Sequence, residues 1–202
     1  MDFMNVMNER FAAKSFSDEK ISKENLDKVI EFGRLSPSSL GLEPWKFVVV
    51  SNQELKDKLV PACFGQTQVG QASEVVIILN NRKNFAEGST FLADTFNARL
   101  PEDIAKKMIP TYQGFLDNMD VSQKDDWSKR QCFIAAANMM TGAKSLGIDS
   151  CPMEGFVEDK VLEVLDVDSK EFGVAMVIPF GFADKPGYPK TRFPVEQVVE
   201  FK

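Results

Sequence analysis

Residues 132–143 read CFIAAANMMTGA. Wound into a helix, this stretch is apolar or small on nearly every side, so it belongs in a buried, closely packed place, within one subunit or between two. Ser122 is placed to open the helix, with Asp125 three residues later completing a capping box, and Gly147 closes it. Outward from this helix lie short apolar runs. KFVVVS at 46–51, EVVIIL at 74–79 and GVAMVIPFG at 173–181 read as buried strands, and VEQVVEF at 195–201 as a short terminal one. Residues 2–10 form a short helix. A second runs from Ile21 to Leu35, with Leu26, Val29, Ile30 and Gly33 at helical spacing, until Pro37 and the Ser-Ser-Leu-Gly after it. SNQELKDKLV at 51–60 is helical. From about 83 to 118 the chain is polar and helix-permissive, divided at Pro101, with a kink or break expected at Pro110. No linker, repeat or low-complexity tract interrupts the sequence, so residues 1–202 read as a single α+β domain with more helix than strand.

Composition narrows the chemistry. The 202 residues include 24 Lys and Arg against 30 Asp and Glu, a net charge of −6. The whole molecule is therefore repelled by nucleic acid and anionic membranes, and an anionic ligand must be caught by a local basic cluster. There is no histidine at all. Imidazole-activated nucleophiles, histidine-ligated zinc and iron, and histidine proton shuttles are excluded. The three cysteines are far apart and fit no zinc spacing, which points to reduced thiols and a cytoplasmic setting. The first residues carry no secretory pattern. VVIIL at 75–79 is the longest purely apolar run and is far too short to span a bilayer.

Phosphate signatures fail at the residue level. GQTQVG at 65–70 has the glycine spacing of a P-loop, but Gln71 and Ala72 stand where Lys and Ser or Thr are required. No G-x-G-x-x-G is present. Two basic pairs remain. Arg10 and Lys14 in ERFAAKSF lie on one side of either a helix or an extended segment, and Lys190 and Arg192 in GYPKTRFP are held extended between prolines. They are either solvated surface charges or a grip for a phosphomonoester. SPSSLGLEPW at 36–45 is a rigid turn rich in free N–H groups, with Trp45 as its anchor in the core. In CPMEGF at 151–156 the Glu154 and Gly155 N–H groups could face a flat ligand, or the segment could be an ordinary turn between helices. Tyr112, Phe115 and Met119 are either an aromatic lid or helical core.

Taken in order, ERFAAKSF, SPSSLGLEPWKFVVV, GIDSCPMEGF and GYPKTRFP resemble the nitroreductase family of FMN-dependent nitroreductases and flavin reductases, over nearly the whole chain. The resemblance implies a mainly antiparallel central sheet flanked by helices, in an intertwined homodimer with two FMN sites at its interface. It implies that Arg10, Lys190 and Arg192 hold the FMN phosphate, with Ala12 beside them, and that Lys14 lies near the ribityl chain and the N1/O2 edge. By the same similarity Gln66 and Gln68 of FGQTQ bond the pyrimidine side. Pro152, Met153, Glu154 and Gly155 line the ring near N5 and O4, and Pro37, Ser38 and Ser39 approach from the partner subunit. NADH or NADPH is the implied hydride donor and nitroaromatics, quinones or free flavin the acceptors, in a ping-pong cycle. Arg82, Lys83, Lys106 and Lys107 are the basic residues from which a 2′-phosphate contact could be drawn. No side chain is assigned as catalytic and no metal is implied.

Several positions depart from that pattern. Ala12 stands where many members have Ser, Gly41 and Glu43 where others have Asn and Gln, and Gln68 where some have Lys. A specialised member acting on another acceptor (an enone reductase or a dehalogenase) and a non-enzymatic flavin-storage protein are the alternatives. Neither nucleic acid nor membrane is an expected partner.

Overall fold

The computed structural model describes residues 2–202. Helix α1 (Phe3–Glu9) and α2 (Lys23–Arg34) lead to a 3-10 turn (Ser39–Gly41) and strand β1 (Trp45–Val50). Then come α3 (Gln53–Ala62), α4 (Gln68–Gln71), β2 (Glu74–Asn81), α5 (Phe91–Arg99), α6 (Glu102–Asp117) and α7 (Val121–Ser145). A two-residue strand β3 (Asp149–Ser150), α8 (Glu158–Val164), β4 (Phe172–Gly181) and a short α9 (Val195–Val198) complete the order. The strands form one antiparallel sheet in the order β1-β2-β4-β3.

The continuous apolar run of β2 follows from burial on both faces. Strand alternation sends Val75, Ile77 and Leu79 into one core and Val76 and Ile78 into another. The first core holds Leu59 of α3, Val69 of α4, Val161 and Leu162 of α8, and Ala13 and Phe16. The second holds Val29 of α2 and Cys132, Ala136, Met139 and Ala143 of α7. A third cluster joins α5 and α6 to Leu42 and Trp127.

Helices α2 and α7 approach closely through glycine. A Cβ on Gly142 would stand 2.1 Å from the Phe32 ring, and one on Gly33 would stand 2.1 Å from Met139. Gly142→Ala is therefore expected to destabilise by about 1–3 kcal/mol, read from the urea midpoint. Gly114→Ala, in open space on α6, is expected to gain up to about 1 kcal/mol from helix propensity.

The structure corrects six expectations. Helix α7 begins earlier than Ser122: Asp120 is its N-cap and forms the capping box with Gln123, bonds of 2.8 and 2.9 Å running both ways. Asp125 is thereby freed for an ion pair. Helix α6 passes through Pro110 without stopping. Pro110 is exposed, so the bond it removes is lost on the wet side of the helix. Strand β1 is an edge strand with Lys46 and Val49 exposed, not a buried one. VEQVVEF carries a single helical turn at Val195–Val198 in place of a strand, and pairs with none of the four strands of the sheet. CPMEGF is not a helix-to-helix turn but follows β3 along the edge of β4, with Met153 and Val177 exchanging N–H···O bonds of 2.9 and 3.1 Å. Trp45 is only half-buried, stacked on Phe47. Tyr112 and Met119 pack in the third cluster, while Phe115 is exposed and meets Trp127 edge-on. Among the described residues no helix is long and apolar enough to cross a membrane.

Candidate functional site

After α1 the backbone turns extended at Arg10 (φ −63°, ψ 129°). Ala12 then bridges Ser150, and the Ala13 N–H donates to the Ser150 carbonyl at 3.0 Å. With a period of two, Arg10, Ala12 and Lys14 share one side while Ala13 is buried. The segment is extended, not helical.

On the neighbouring line Cys151 donates its N–H to the Pro179 carbonyl, and the same period places Cys151 and Met153 on one face. Both sulfurs meet Gln68. Its Nε2 lies 3.9 Å from Cys151 Sγ, 3.8 Å from Met153 Sδ and 3.2 Å from Gln66 Oε1. Lys14 Nζ donates to Cys151 Sγ at 3.6 Å. Gln66 Nε2 in turn donates to the carbonyls of Gly155 (3.0 Å) and Cys63 (3.1 Å). Three segments, around residues 14, 66–68 and 151–155, thus meet at one surface. Gly155 suits it: a Cβ there would press on Gln66 Nε2 at 3.1 Å.

The C-terminal tail brings the second basic pair. Lys190 Nζ donates to the Met7 carbonyl at the end of α1. Its pKa is pushed down, first by partial burial and then by the charges of Arg10 and Arg192. Lys190 therefore stands within electrostatic reach of both Arg10 and Arg192. Among the described residues neither these three nor Lys14 has a carboxylate partner within salt-bridge distance, although acidic residues outnumber basic ones in the chain. An uncompensated cationic cluster of this kind is suited to a dianion such as a phosphomonoester.

Pro37, Ser38 and Ser39 do not join this cluster within the chain. The Ser39 N–H donates to Gln131 Oε1 of α7 at 2.9 Å, and Ser38 Oγ accepts from the Glu43 N–H. In this loop Leu40 (φ +60°), Gly41 (+64°) and Glu43 (+47°) are all left-handed, a cost of about 1–3 kcal/mol for each non-glycine. Pro152 is half-buried, Met153 buried and Glu154 exposed. Cys151, Gln131 and Arg99 play parts that sequence reasoning did not assign. Only Cys151 lay inside a quoted motif.

A separate cavity of about 1210 Å3 opens elsewhere, between the turn after β2 and the α6–α7 junction, lined by Phe85, Leu92, Leu116 and Asp125 among others. It contains none of the residues above.

The sequence pattern described as the Nitroreductase family matches residues 7–182. The chain belongs to the nitroreductase family. A Staphylococcus haemolyticus protein named as an NAD(P)H nitroreductase is 41% identical over 210 residues, covering 98% of this chain and 96% of that one. A Staphylococcus aureus protein of the same designation is 40% identical, covering 98% and 94%. Among solved structures, an Exiguobacterium sibiricum nitroreductase in complex with FMN superposes with a TM-score of 0.86 at 27% identity, covering 100% of this chain and 98% of its own. A Staphylococcus epidermidis NAD(P)H:FMN oxidoreductase gives 0.87 at 25%, covering 100% and 96%. This nitroreductase-family chain has their α+β architecture, with the helices packed on both faces of its antiparallel sheet.

Proposed function

We propose that this nitroreductase-family chain is an FMN-dependent NAD(P)H oxidoreductase that passes hydride equivalents to nitroaromatic, quinone or free flavin acceptors. The carrying observation is the gathering of Arg10, Lys190 and Arg192, without acidic partners among the described residues, beside the Lys14, Gln66 and Gln68 cluster. Those three cations fit the phosphate of FMN. Relatives named for NAD(P)H and solved structures named for FMN support the same reading.

FMN held here would supply the redox chemistry, hydride transfer from nicotinamide and two-electron delivery to an acceptor. The protein's residues grip and orient. Arg10, Lys190 and Arg192 neutralise the phosphate, with Ala12 contributing no hydroxyl. Lys14 and Gln68 would meet the pyrimidine edge, with Gln66 setting the Gln68 amide, and Pro152 and Met153 would lie against the ring. Neither the Glu154 nor the Gly155 N–H donates to an acceptor in the described chain, which suits them to the N5 and O4 side. No proton shuttle is required, in keeping with the absence of histidine.

A second copy of the chain completes the site in this reading. Phe3 and Met4 on α1, Ile134 on α7, and Tyr188, Phe193 and Phe201 on the tail are exposed apolar side chains that a homodimer would cover. Pro37, Ser38 and Ser39 would then reach the partner's FMN. Of the basic residues considered for a 2′-phosphate, Arg82, Lys83 and Lys106 are engaged by carboxylates, which leaves Lys107 for NADPH.

The test is the visible spectrum. The purified protein should be yellow or take up added FMN, and anaerobic mixing with NADH or NADPH should bleach it within seconds. Colourless protein that takes up no FMN would overturn the reading. Because donor and acceptor share one face, double-reciprocal plots should be parallel. Intersecting lines would remove the ping-pong cycle. Gln68→Lys should raise the flavin midpoint potential by about 30 mV, equivalent to a tenfold gain in relative affinity for the two-electron-reduced form. A second cation there would favour the anionic reduced flavin. Potentiometric titration of the two holoproteins checks it.

A further inference from the structure

The loop from Ser38 to Glu43 holds Leu40 and Glu43 in a backbone region that side chains other than glycine rarely adopt. Such backbone persists only where its surroundings hold it. From inside, Leu42 is anchored in the third core, and Gln131 and Ser38 Oγ accept the Ser39 and Glu43 N–H groups. From outside there is one further tie. Arg99, the last residue of α5, donates through a single guanidinium nitrogen to the Gly41 carbonyl and to Glu43 Oε1, both at 2.8 Å. It grips two of the three left-handed residues, Gly41 and Glu43, at once.

We propose that Arg99 is a positioning residue: it locks the Ser38–Glu43 loop in its left-handed form and neutralises Glu43, so that the loop presents a fixed, uncharged wall to nicotinamide and acceptor. The proposal rests on the functional reading above, in which this loop approaches FMN from the partner subunit. Reduced nicotinamide dinucleotides are polyanions, and an unpaired Glu43 carboxylate on that wall would repel them. The Arg99–Glu43 pair is half-exposed, so it adds little to global stability. Leu42 keeps its anchor without it, and an Arg99 variant is expected to fold.

The experiment compares wild type, Arg99→Gln and the double variant Arg99→Gln/Glu43→Gln as FMN-loaded proteins. In Arg99→Gln the amides of Gly41, Leu42 and Glu43 should exchange hydrogen at least about tenfold faster, with the Ile77 amide in the sheet unchanged. FMN affinity should stay within about twofold. KM for the nicotinamide donor should rise about fivefold at low salt and less at high salt, with kcat little altered. The double variant should recover much of the KM while keeping the fast exchange. Unchanged exchange and unchanged KM in Arg99→Gln would overturn the proposal, and a double variant with the KM of the single one would remove the charge role. If wild type binds no FMN, the functional reading fails, whereas the exchange comparison still decides whether Arg99 locks the loop.

Discussion

Arg192→Ala is expected to raise the dissociation constant for FMN by about 10- to 150-fold, from the loss of about 1.5–3 kcal/mol carried by a hydrogen bond to a charged group. Fluorescence titration of apoprotein with FMN measures it. Arg192 lies close enough to Lys190 that its charge, like that of Arg10, adds to burial in lowering the Lys190 pKa. In the free protein this repulsion is a cost, and a phosphate relieves it. Removing Arg192 should therefore bring the Lys190 pKa back up even as FMN affinity falls. Flavin reduction by NAD(P)H in whatever holoenzyme remains should be slowed far less, since in the proposed site Arg192 grips the phosphate and does not react. A variant that held FMN normally would show that the phosphate sits elsewhere.

The second large effect is on stability. Arg82 stands between β2 and the α7–α8 surface and bonds Asp125 at 2.7 and 3.3 Å, Glu158 at 2.8 Å, and the carbonyls of Ser169 and Phe172. Lys129 reaches both carboxylates, and Asn80 donates to Asp125. Arg82→Met leaves two largely buried carboxylates with one cation between them, and is expected to cost about 3–5 kcal/mol.

The pH dependence follows from Asp125. Burial opposes its ionisation, but the hydrogen bonds from Arg82, Lys129 and Asn80 outweigh burial and bring its pKa down to about 2. Glu158 is also lowered, against its burial, by the Val174 N–H and by Arg82. A pKa lower in the folded than in the unfolded state stabilises the fold at pH values above the unfolded pKa. For Asp125 this amounts to about 2 kcal/mol, lost as pH falls from about 4 to about 2. Urea unfolding should therefore show the wild type losing stability in that window, and the gap between wild type and Arg82→Met narrowing there. A gap that stayed constant from pH 7 to pH 2.5 would remove the role assigned to these ion pairs.

Much of the fold was legible because some residues report their surroundings directly. EVVIIL and GVAMVIPFG read as buried strands because helices cover both faces of the sheet, so each successive side chain meets apolar atoms. The α7 stretch read as closely packed because Gly142 and the alanines leave no room for anything larger. Boundaries were less legible. Ser122 and Asp120 are both chemically able to cap a helix, and the choice between them depends on where the chain leaves α6. VEQVVEF has the alternation of a strand, but a strand also needs an edge to pair with. Arg82 was one of four basic residues from which a 2′-phosphate contact could be drawn, yet the carboxylates that claim it lie 43 and 76 residues away in sequence.

The candidate site divides in the same way. Sequence by itself determined the exclusion of histidine chemistry, the two-sided burial of the central strands, and the presence of two basic pairs able to hold an anion. These follow from side-chain identity and local periodicity, which need no neighbours to be known. Only the tertiary structure decided that Arg10 stands beside Lys190 and Arg192, that Cys151 lies between Lys14 and Gln68, and that Arg99 clasps the Ser38–Glu43 loop. Such contacts act over a few ångströms between residues as much as 182 positions apart, and distances of that kind are set by how the chain closes on itself.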